Sequence, residues 1–348
     1  MIEIYAGKTA TKIINEQGLK PELFNTFLGA SGGPKWFTLF GLDKYLFGEF
    51  FKGRSSQLNL VGSSAGAFRA ACFSQNDPVA AITRLAKSYS ETRYSSNKPT
   101  PQEITAKARA LLEDVFGDNG VAEIITNPVF KAHFIVAKSN GLVASEQKAL
   151  QLLGLTKSYL SNRVNRRFLT KQYERFIYQA PNSDFTIEDS YKFKTRQLDL
   201  TTNNLKDALL ASGSIPLVMQ GIKNIAGSPP GMYRDGGIVD YHFDFKINNP
   251  GLILYPHFNC EPKAGWFDKN LKRKVAAENY DNVVMITPSK QFVASLPYGK
   301  IPDRTDFTDL DADTRIKYWR TVFSETEKLA DALDKKFNSR KFDLKLIK

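Results

Sequence analysis

Residues 57–73, Gln57-Leu-Asn-Leu-Val-Gly-Ser-Ser-Ala-Gly-Ala-Phe-Arg-Ala-Ala-Cys-Phe73, change character twice in one short stretch. Leu58, Leu60 and Val61 form an apolar run of strand type, Gly62-Ser63-Ser64-Ala65-Gly66 interrupts it, and Ala67 to Phe73 resumes with good helix formers. The pattern predicts a strand, a sharp turn and a helix. A Gly-x-Ser-x-Gly in that setting has the form of a nucleophile elbow, with Ser64 on a strained turn and glycines that let neighbouring backbone approach. The same pentapeptide also reads as a plain Gly/Ser turn, so the rest of the chain must decide.

Upstream, Phe27-Leu28 lead into Gly29-Ala30-Ser31-Gly32-Gly33-Pro34-Lys35-Trp36, and Phe37, Leu39, Phe40, Leu42, Tyr45 and Leu46 follow at helical spacing. This is a second strand, glycine loop and helix, with Pro34 suited to the first helical turn. Such a loop presents backbone N–H groups to negative charge. A phosphate-binding loop requires Gly-x-x-x-x-Gly-Lys-Ser/Thr, and Lys35 sits instead between Pro34 and Trp36. An oxyanion hole needs only two or so free donors beside a nucleophile. Gly32 and Gly33 can supply them and Pro34 cannot; a glycine turn without a ligand is the alternative.

Elsewhere the pattern predicts a strand or hairpin over residues 1–20 and mainly helix from Val79 to Leu153, including Ala106 to Phe116, with one strand at Phe134 to Ala137. The basic, aromatic segment from Arg163 to Tyr178 reads as a surface hairpin or helix, and Arg196 to Thr201 as core. Leu205 to Ser212 is a helix closed by Gly213 and Pro216. Met232 to Asp235 is a short strand ending in Asp235-Gly236-Gly237. Leu252 to Tyr255 and Val283 to Ile286 are buried strands, and Arg315 to Phe337 is an amphipathic helix. No repeat or low-complexity linker divides the chain, so one domain over 1–348 is expected, its helical insertions forming the wall or lid of a cleft.

The net charge of +12 favours anionic partners. Cations gather at Arg163, Arg166 and Arg167, at Lys269, Lys272, Arg273 and Lys274, and at Lys335, Lys336, Arg340, Lys341, Lys345 and Lys348. No zinc-finger, RNP or Walker spacing points to nucleic acid. The alternatives are peripheral contact with an anionic membrane and ordinary solvated faces. Aromatic residues, with 25 Phe and 14 Tyr, suit a core and equally a lipid-handling cleft. Cys72 and Cys260 are too few for a disulfide framework and fit a reducing compartment. Neither a secretory signal nor an apolar run of about 18 residues is evident, so a cytoplasmic protein is expected.

A serine hydroxyl needs a base within about 3 Å to become a nucleophile. The order Ser64, Asp235, then His242 or His257 matches an α/β-hydrolase triad, although a packed or surface histidine is the plainer reading of each. The other possibility is direct contact between Asp235 and Ser64, which requires the turn to hold the carboxylate close and partly desolvated.

The ordered set of Gly29 to Lys35, Gly62-Ser63-Ser64-Ala65-Gly66, Ala211-Ser212-Gly213-Ser214-Ile215-Pro216 and Asp235-Gly236-Gly237 resembles the patatin-like phospholipases over roughly residues 27 to 240. That family carries D-G-G-G-x-[RK]-G, G-x-S-x-G, A-S-x-[SA]-x-P and D-G-[GA] in this order. Here Ala30 stands where the family has Asp, Ser31 replaces a Gly, Trp36 replaces the closing Gly, and Ile238-Val239-Asp240 follows the Asp-Gly-Gly in place of Asn-x-Pro. The resemblance implies a three-layer α/β/α fold with a mainly parallel sheet. It implies a lipid acyl hydrolase with Ser64 as nucleophile and Asp235 as its sole partner. Gly32, Gly33 and Ala65 would form the oxyanion hole, and Lys35 would bind substrate or support the loop. No metal or organic cofactor is called for. A triad esterase on soluble esters, a catalytically idle lipid binder, and an enzyme needing an activating protein partner are the other readings.

Overall fold

The structure, a computed structural model, describes residues 1–339 and 342–347. Its elements in chain order are β1 (Ile2–Ala6), α1 (Lys8–Gln17), β2 (Phe24–Gly29), α2 (Phe40–Tyr45), β3 (Leu58–Ser63), α3 (Ala65–Phe73), α4 (Pro78–Ser90), α5 (Pro101–Phe116) and α6 (Gly120–Thr126). Next come β4 (Phe130–Ser139), α7 (Lys148–Val164), β5 (Tyr173–Gln179), β6 (Ile187–Glu188), β7 (Thr195–Asp199), α8 (Leu205–Ser212), β8 (Ile222–Lys223) and β9 (Met232–Asp235). The chain continues through β10 (Lys246–Ile247), β11 (Leu252–Pro256), β12 (Val283–Pro288), α9 (Lys290–Ser295), α10 (Asp306–Asp309), α11 (Ala312–Ser339) and β13 (Leu344–Leu346).

Among the described residues, eleven strands form one mixed sheet in the order β13-β1-β12-β11-β2-β3-β4-β5-β7, with β9 also on β4 and β8 on β9. The centre, β12-β11-β2-β3-β4, is wholly parallel. Its strands read as near-continuous apolar runs because both faces are covered. Phe27, Leu60, Phe134, Leu254 and Val284 enter one core, and their chain neighbours Leu28, Val61, Ile135, Tyr255 and Met285 enter the other. The first core is roofed by helices including α2, α3, α4 and α11. The second is covered by mostly irregular chain on either side of β11, residues 243–247 and 258–280, with α7 at one end against Ala137 and Tyr173.

The register around β4 positions the site. Residues Leu58 to Ser63 of β3 pair in parallel with Phe130 to Ile135. Just beyond, Val136 to Ser139 pair antiparallel with Asp235 to Met232 of β9. Two strands distant in sequence thus end head to head along one edge of β4, Ser63 opposite Ile135 and Asp235 opposite Val136.

Several sequence expectations are corrected. Ile13 and Ile14 lie on α1, not a hairpin, because Ala10 and Ile14 pack at helical spacing against the core. Arg163 to Tyr178 is not surface throughout: Tyr173–Gln179 is an inner strand between β4 and β7, and its Arg175 is buried on Asp240 and Asp189. The segment expected as core at Arg196 to Thr201 contributes an exposed edge strand. The basic patches are also redrawn. Arg166 is buried against Asp268 and the Val239 carbonyl, and Arg273 binds the same Asp268. Arg340, Lys341 and Lys348 of the third patch lie outside the described residues.

Candidate active site

Ser64 joins β3 to α3 with φ 52° and ψ −128°, a left-handed backbone that a serine adopts only when its surroundings hold it there. Three contacts hold it. The Ser64 N–H donates to Ser212 Oγ at 3.0 Å, and Ser212 Oγ donates to the Ile135 carbonyl at 2.7 Å. Beneath the turn, Gly29 and Gly66 meet backbone to backbone: a Cβ on Gly66 would be driven into the Gly29 carbonyl. Gly66, two residues after the serine, is therefore required by packing.

Asp235 comes from the opposite direction. Its N–H donates to the Ser214 carbonyl at 3.1 Å, its Oδ1 accepts from the Gly237 N–H at 2.7 Å, and its Oδ2 accepts from Ser64 Oγ at 2.7 Å. Both carboxylate oxygens are thereby used and the side chain cannot swing away. Burial pushes its pKa up to about 6, against the hydrogen bonds from Ser64 and Gly237, which favour the charged form, and the nearby charges of Lys269 and Arg304.

The glycine loop is tied to the elbow through one of its departures from the family pattern. Ser63 Oγ donates to the Asp240 carbonyl at 2.5 Å, and Ser31 Oγ sits 2.6 Å from Ser63 Oγ and 3.2 Å from the Ser63 carbonyl. Arg175 fixes Asp240 in turn through two hydrogen bonds of 2.6 and 2.8 Å. Trp36 is buried among Phe37 and Phe40, anchoring the loop's far end. Among the described residues, the N–H groups of Gly32, Gly33 and Ala65 make no hydrogen bond within the chain. Gly33 has φ 56°, where a side chain would be strained.

Two cavities meet at Ser64. One, of ≈ 480 Å³, is lined by Phe68, Leu85, Tyr89, Ile104, Ala108, Leu111, Met219 and Phe307, with Lys98 and Lys107 also on its lining. The other, of ≈ 80 Å³, is lined by Gly32, Gly33, Asp235, Ile215, Pro216, Tyr241 and Trp266 with Lys35, Lys269, Asp303 and Arg304. Lys35 forms an ion pair with Asp303. The Lys269 ammonium lies 4.1 Å from the centre of the Tyr241 ring and 5.7 Å from that of Trp266. Its concave setting brings its pKa down to about 8, through desolvation first and the Arg304 charge next, with Asp235 pulling the other way.

The histidines are placed elsewhere. His242 Nδ1 accepts from the Lys263 N–H at 2.9 Å and His257 Nδ1 from the Asn259 N–H at 2.8 Å, and their rings pack on each other 4.3 Å apart. Burial first lowers the pKa of His242 well below the ordinary value and that of His257 to about 3. His133 is on β4 with Nε2 on Ser183. Neither Ser64 nor Asp235 has a histidine partner among the described residues. Nor do three or more His, Cys, Asp or Glu side chains gather there as a metal-ligand set.

Ser64, Asp235, Gly32, Gly33, Ala65 and Lys35, all singled out from the sequence, come together around these cavities. Lys269, Arg304 and the apolar chamber were not anticipated as site features. Lys269 was counted only in a basic patch, and the chamber draws on α3, α4, α5 and the segment after residue 303, which share no local pattern.

The chain belongs to the patatin-like phospholipase family, whose sequence model matches residues 59–242. No curated protein sequence matches it. Among solved structures it is similar to human GIVD cytosolic phospholipase A2, at 10% identity and TM-score 0.37, covering 95% of this chain and 63% of that one. The same human protein in complex with a methyl gamma-linolenyl fluorophosphonate inhibitor and terbium chloride gives 11% identity and TM-score 0.37, covering 95% and 62%. This chain therefore spans less than two thirds of the length of those chains. Among the described residues no helix is long and apolar enough to cross a membrane.

Proposed function

We propose that the protein is a lipid acyl hydrolase working through a Ser64–Asp235 dyad. The observation that carries this reading is the 2.7 Å hydrogen bond from Ser64 Oγ to a doubly held Asp235, at the point where an apolar chamber meets a cationic mouth. Ser64 Oγ attacks the ester carbonyl as its proton passes to Asp235 Oδ2. The carbonyl oxygen, now negative, takes hydrogen bonds from the free N–H groups of Gly32, Gly33 and Ala65, each worth about 3 kcal/mol of barrier. Collapse breaks the ester bond and the leaving alkoxide takes the proton from Asp235. Water then enters, gives its proton to Asp235 and attacks the acyl-enzyme. The fatty acid leaves as Ser64 recovers its proton. A carboxylate with a pKa near 6 is ionised at neutral pH yet basic enough to accept a proton in the transition state.

The acyl chain occupies the apolar chamber, whose volume lies within the range of small-ligand pockets. The alcohol part faces Lys35, Lys269 and Arg304 against Asp303, a balance that favours an alcohol bearing a phosphate or other anionic group.

The test is hydrolysis of a short-chain p-nitrophenyl ester and of phospholipid vesicles by the wild type, Ser64→Ala, Asp235→Asn and His242→Ala. Turnover abolished in the first two variants and retained in the third is the expected result. Loss in His242→Ala equal to that in Ser64→Ala moves the base to a histidine. Lipid binding without turnover, and without labelling of Ser64 by a fluorophosphonate, favours an idle binder.

A further inference from the structure

Helix α7 is amphipathic in the wrong sense for a helix lying on a core. Its buried positions are Gln151, Gly154, Leu155, Ser158 and Asn162, of which only Leu155 is large and apolar. The outer surface carries Leu150, Leu153, Leu160 and Val164 on one ridge, flanked by Leu152 and Tyr159. Exposure reaches 58% at Leu153 and 77% at Val164, and Phe168, four residues beyond the helix, is exposed as well. Exposed leucines are ordinary singly, but a contiguous set on one helix marks a surface with a partner.

Charge says which partner. Residues 147–171 contain no Asp or Glu, while Lys148, Lys157, Arg163, Arg167 and Lys171 are all exposed. Arg166 alone turns inward, onto Asp268. An apolar ridge among uncompensated cations is the composition of a helix that lies in a lipid–water interface, leucines in the acyl boundary and cations at anionic head groups. A second copy seated through the same face would bring two sets of these cations together. A nucleic acid would leave the leucines in water.

The polar inner face explains why the helix is held in this orientation. Gln151 Oε1 accepts from the Leu217 N–H at 2.7 Å, and Asn162 Nδ2 donates to Asp268 Oδ1 at 2.8 Å. Leu217 lines the apolar chamber, and Trp266, two residues before Asp268, lines the cationic mouth. We propose that the outer face of α7 is the surface by which this protein docks on an anionic lipid bilayer, which places a membrane beside both segments that border the cleft. The proposal does not depend on the chemistry at Ser64.

The test is co-sedimentation of the full chain with phosphatidylcholine vesicles and with vesicles in which about a third of the lipid is phosphatidylserine. The wild type and Ser64→Ala are expected to bind the anionic vesicles in preference. Leu153→Asp/Leu160→Asp should bind them roughly tenfold more weakly, as should Lys157→Glu/Arg163→Glu, while both hydrolyse a soluble short-chain ester at the wild-type rate. Unchanged vesicle binding in both double variants overturns the proposal. So does a wild-type dimer, seen by sedimentation equilibrium, that Leu153→Asp/Leu160→Asp dissociates, since the face is then a contact between copies.

Discussion

The two cavities that meet at Ser64 are built from opposite materials. The larger is walled by side chains of α3, α4 and α5 that belong to the main core or pack on it, and in the proposed reaction it would hold the acyl chain by excluding water. The smaller is edged by glycine backbone, two lysines, an arginine and two aspartates. Ser64 lines both, and Asp235 lines the smaller beside it; burial is what raises the Asp235 pKa. Under the proposed function such a site separates grip from chemistry: the apolar side would decide which chain is held, and the polar side what happens to the ester.

The largest effect is expected where the two sides join. Asp235→Asn should lower kcat by about 10³-fold or more on every ester, because the base is gone from both long-chain and short-chain reactions. The same change should stabilise the fold. The carboxyl titrates at about 6 in the folded state against an ordinary value of 3.8, so the folded state binds the extra proton between those values. Stability therefore falls as pH rises through that window, with a penalty of about 3 kcal/mol fully present above it. An Asn removes the charge while still accepting from Gly237 and donating to Ser64. Its melting temperature should exceed the wild type's at pH 7.5 and converge on it near pH 4; a lower value at pH 7.5 would show that the buried charge is not a cost.

Ala108→Trp, which fills the apolar chamber, should cut kcat/KM for long-chain esters at least about tenfold and leave acetyl and butyryl esters unchanged. Equal losses on both would mean that the chamber does not hold the chain. The pH profile comes next. With Asp235 required as the carboxylate, kcat/KM should fall as pH drops, reaching half at about pH 6 for short and long chains alike.

The smallest effect is expected at the mouth. Lys269→Ala should weaken kcat/KM for an ester with an anionic alcohol by about tenfold and barely alter a neutral one of the same chain length. In the wild type this preference should decline above about pH 8, as the Lys269 ammonium loses its proton. A preference that is flat across that range would remove Lys269 from head-group recognition.

Much of this was legible along the chain, for physical reasons that differ by element. Leu58 to Phe73 declares a strand, turn and helix because the apolar spacing changes period across two glycines, and period is a local property. The Asp-Gly-Gly at 235–237 is legible for the same reason. Tyr173–Gln179 was misread because its interior is half polar: Glu174 and Arg175 look like surface until Asp240 and Asp189 arrive from elsewhere to satisfy Arg175. Helix was expected only as far as Leu153, and the outward leucines of α7 carry no local signal, because only the packing shows which side of a helix is covered.

By itself the sequence determined the parts: a serine on a tight turn, a glycine loop with donors to spare, an aspartate followed by two glycines, and an excess of positive charge. Each follows from backbone sterics or composition, which act over a few residues. Only the tertiary structure decided that Ser64 and Asp235 touch. The contact exists because β3 and β9, running in opposite directions, end at adjacent positions on β4, and strand register depends on side chains spread over the whole sheet. The same long-range packing decided that His242 and His257 face each other and not the serine, and that Leu150, Leu152, Leu153 and Leu160 of α7 face outward.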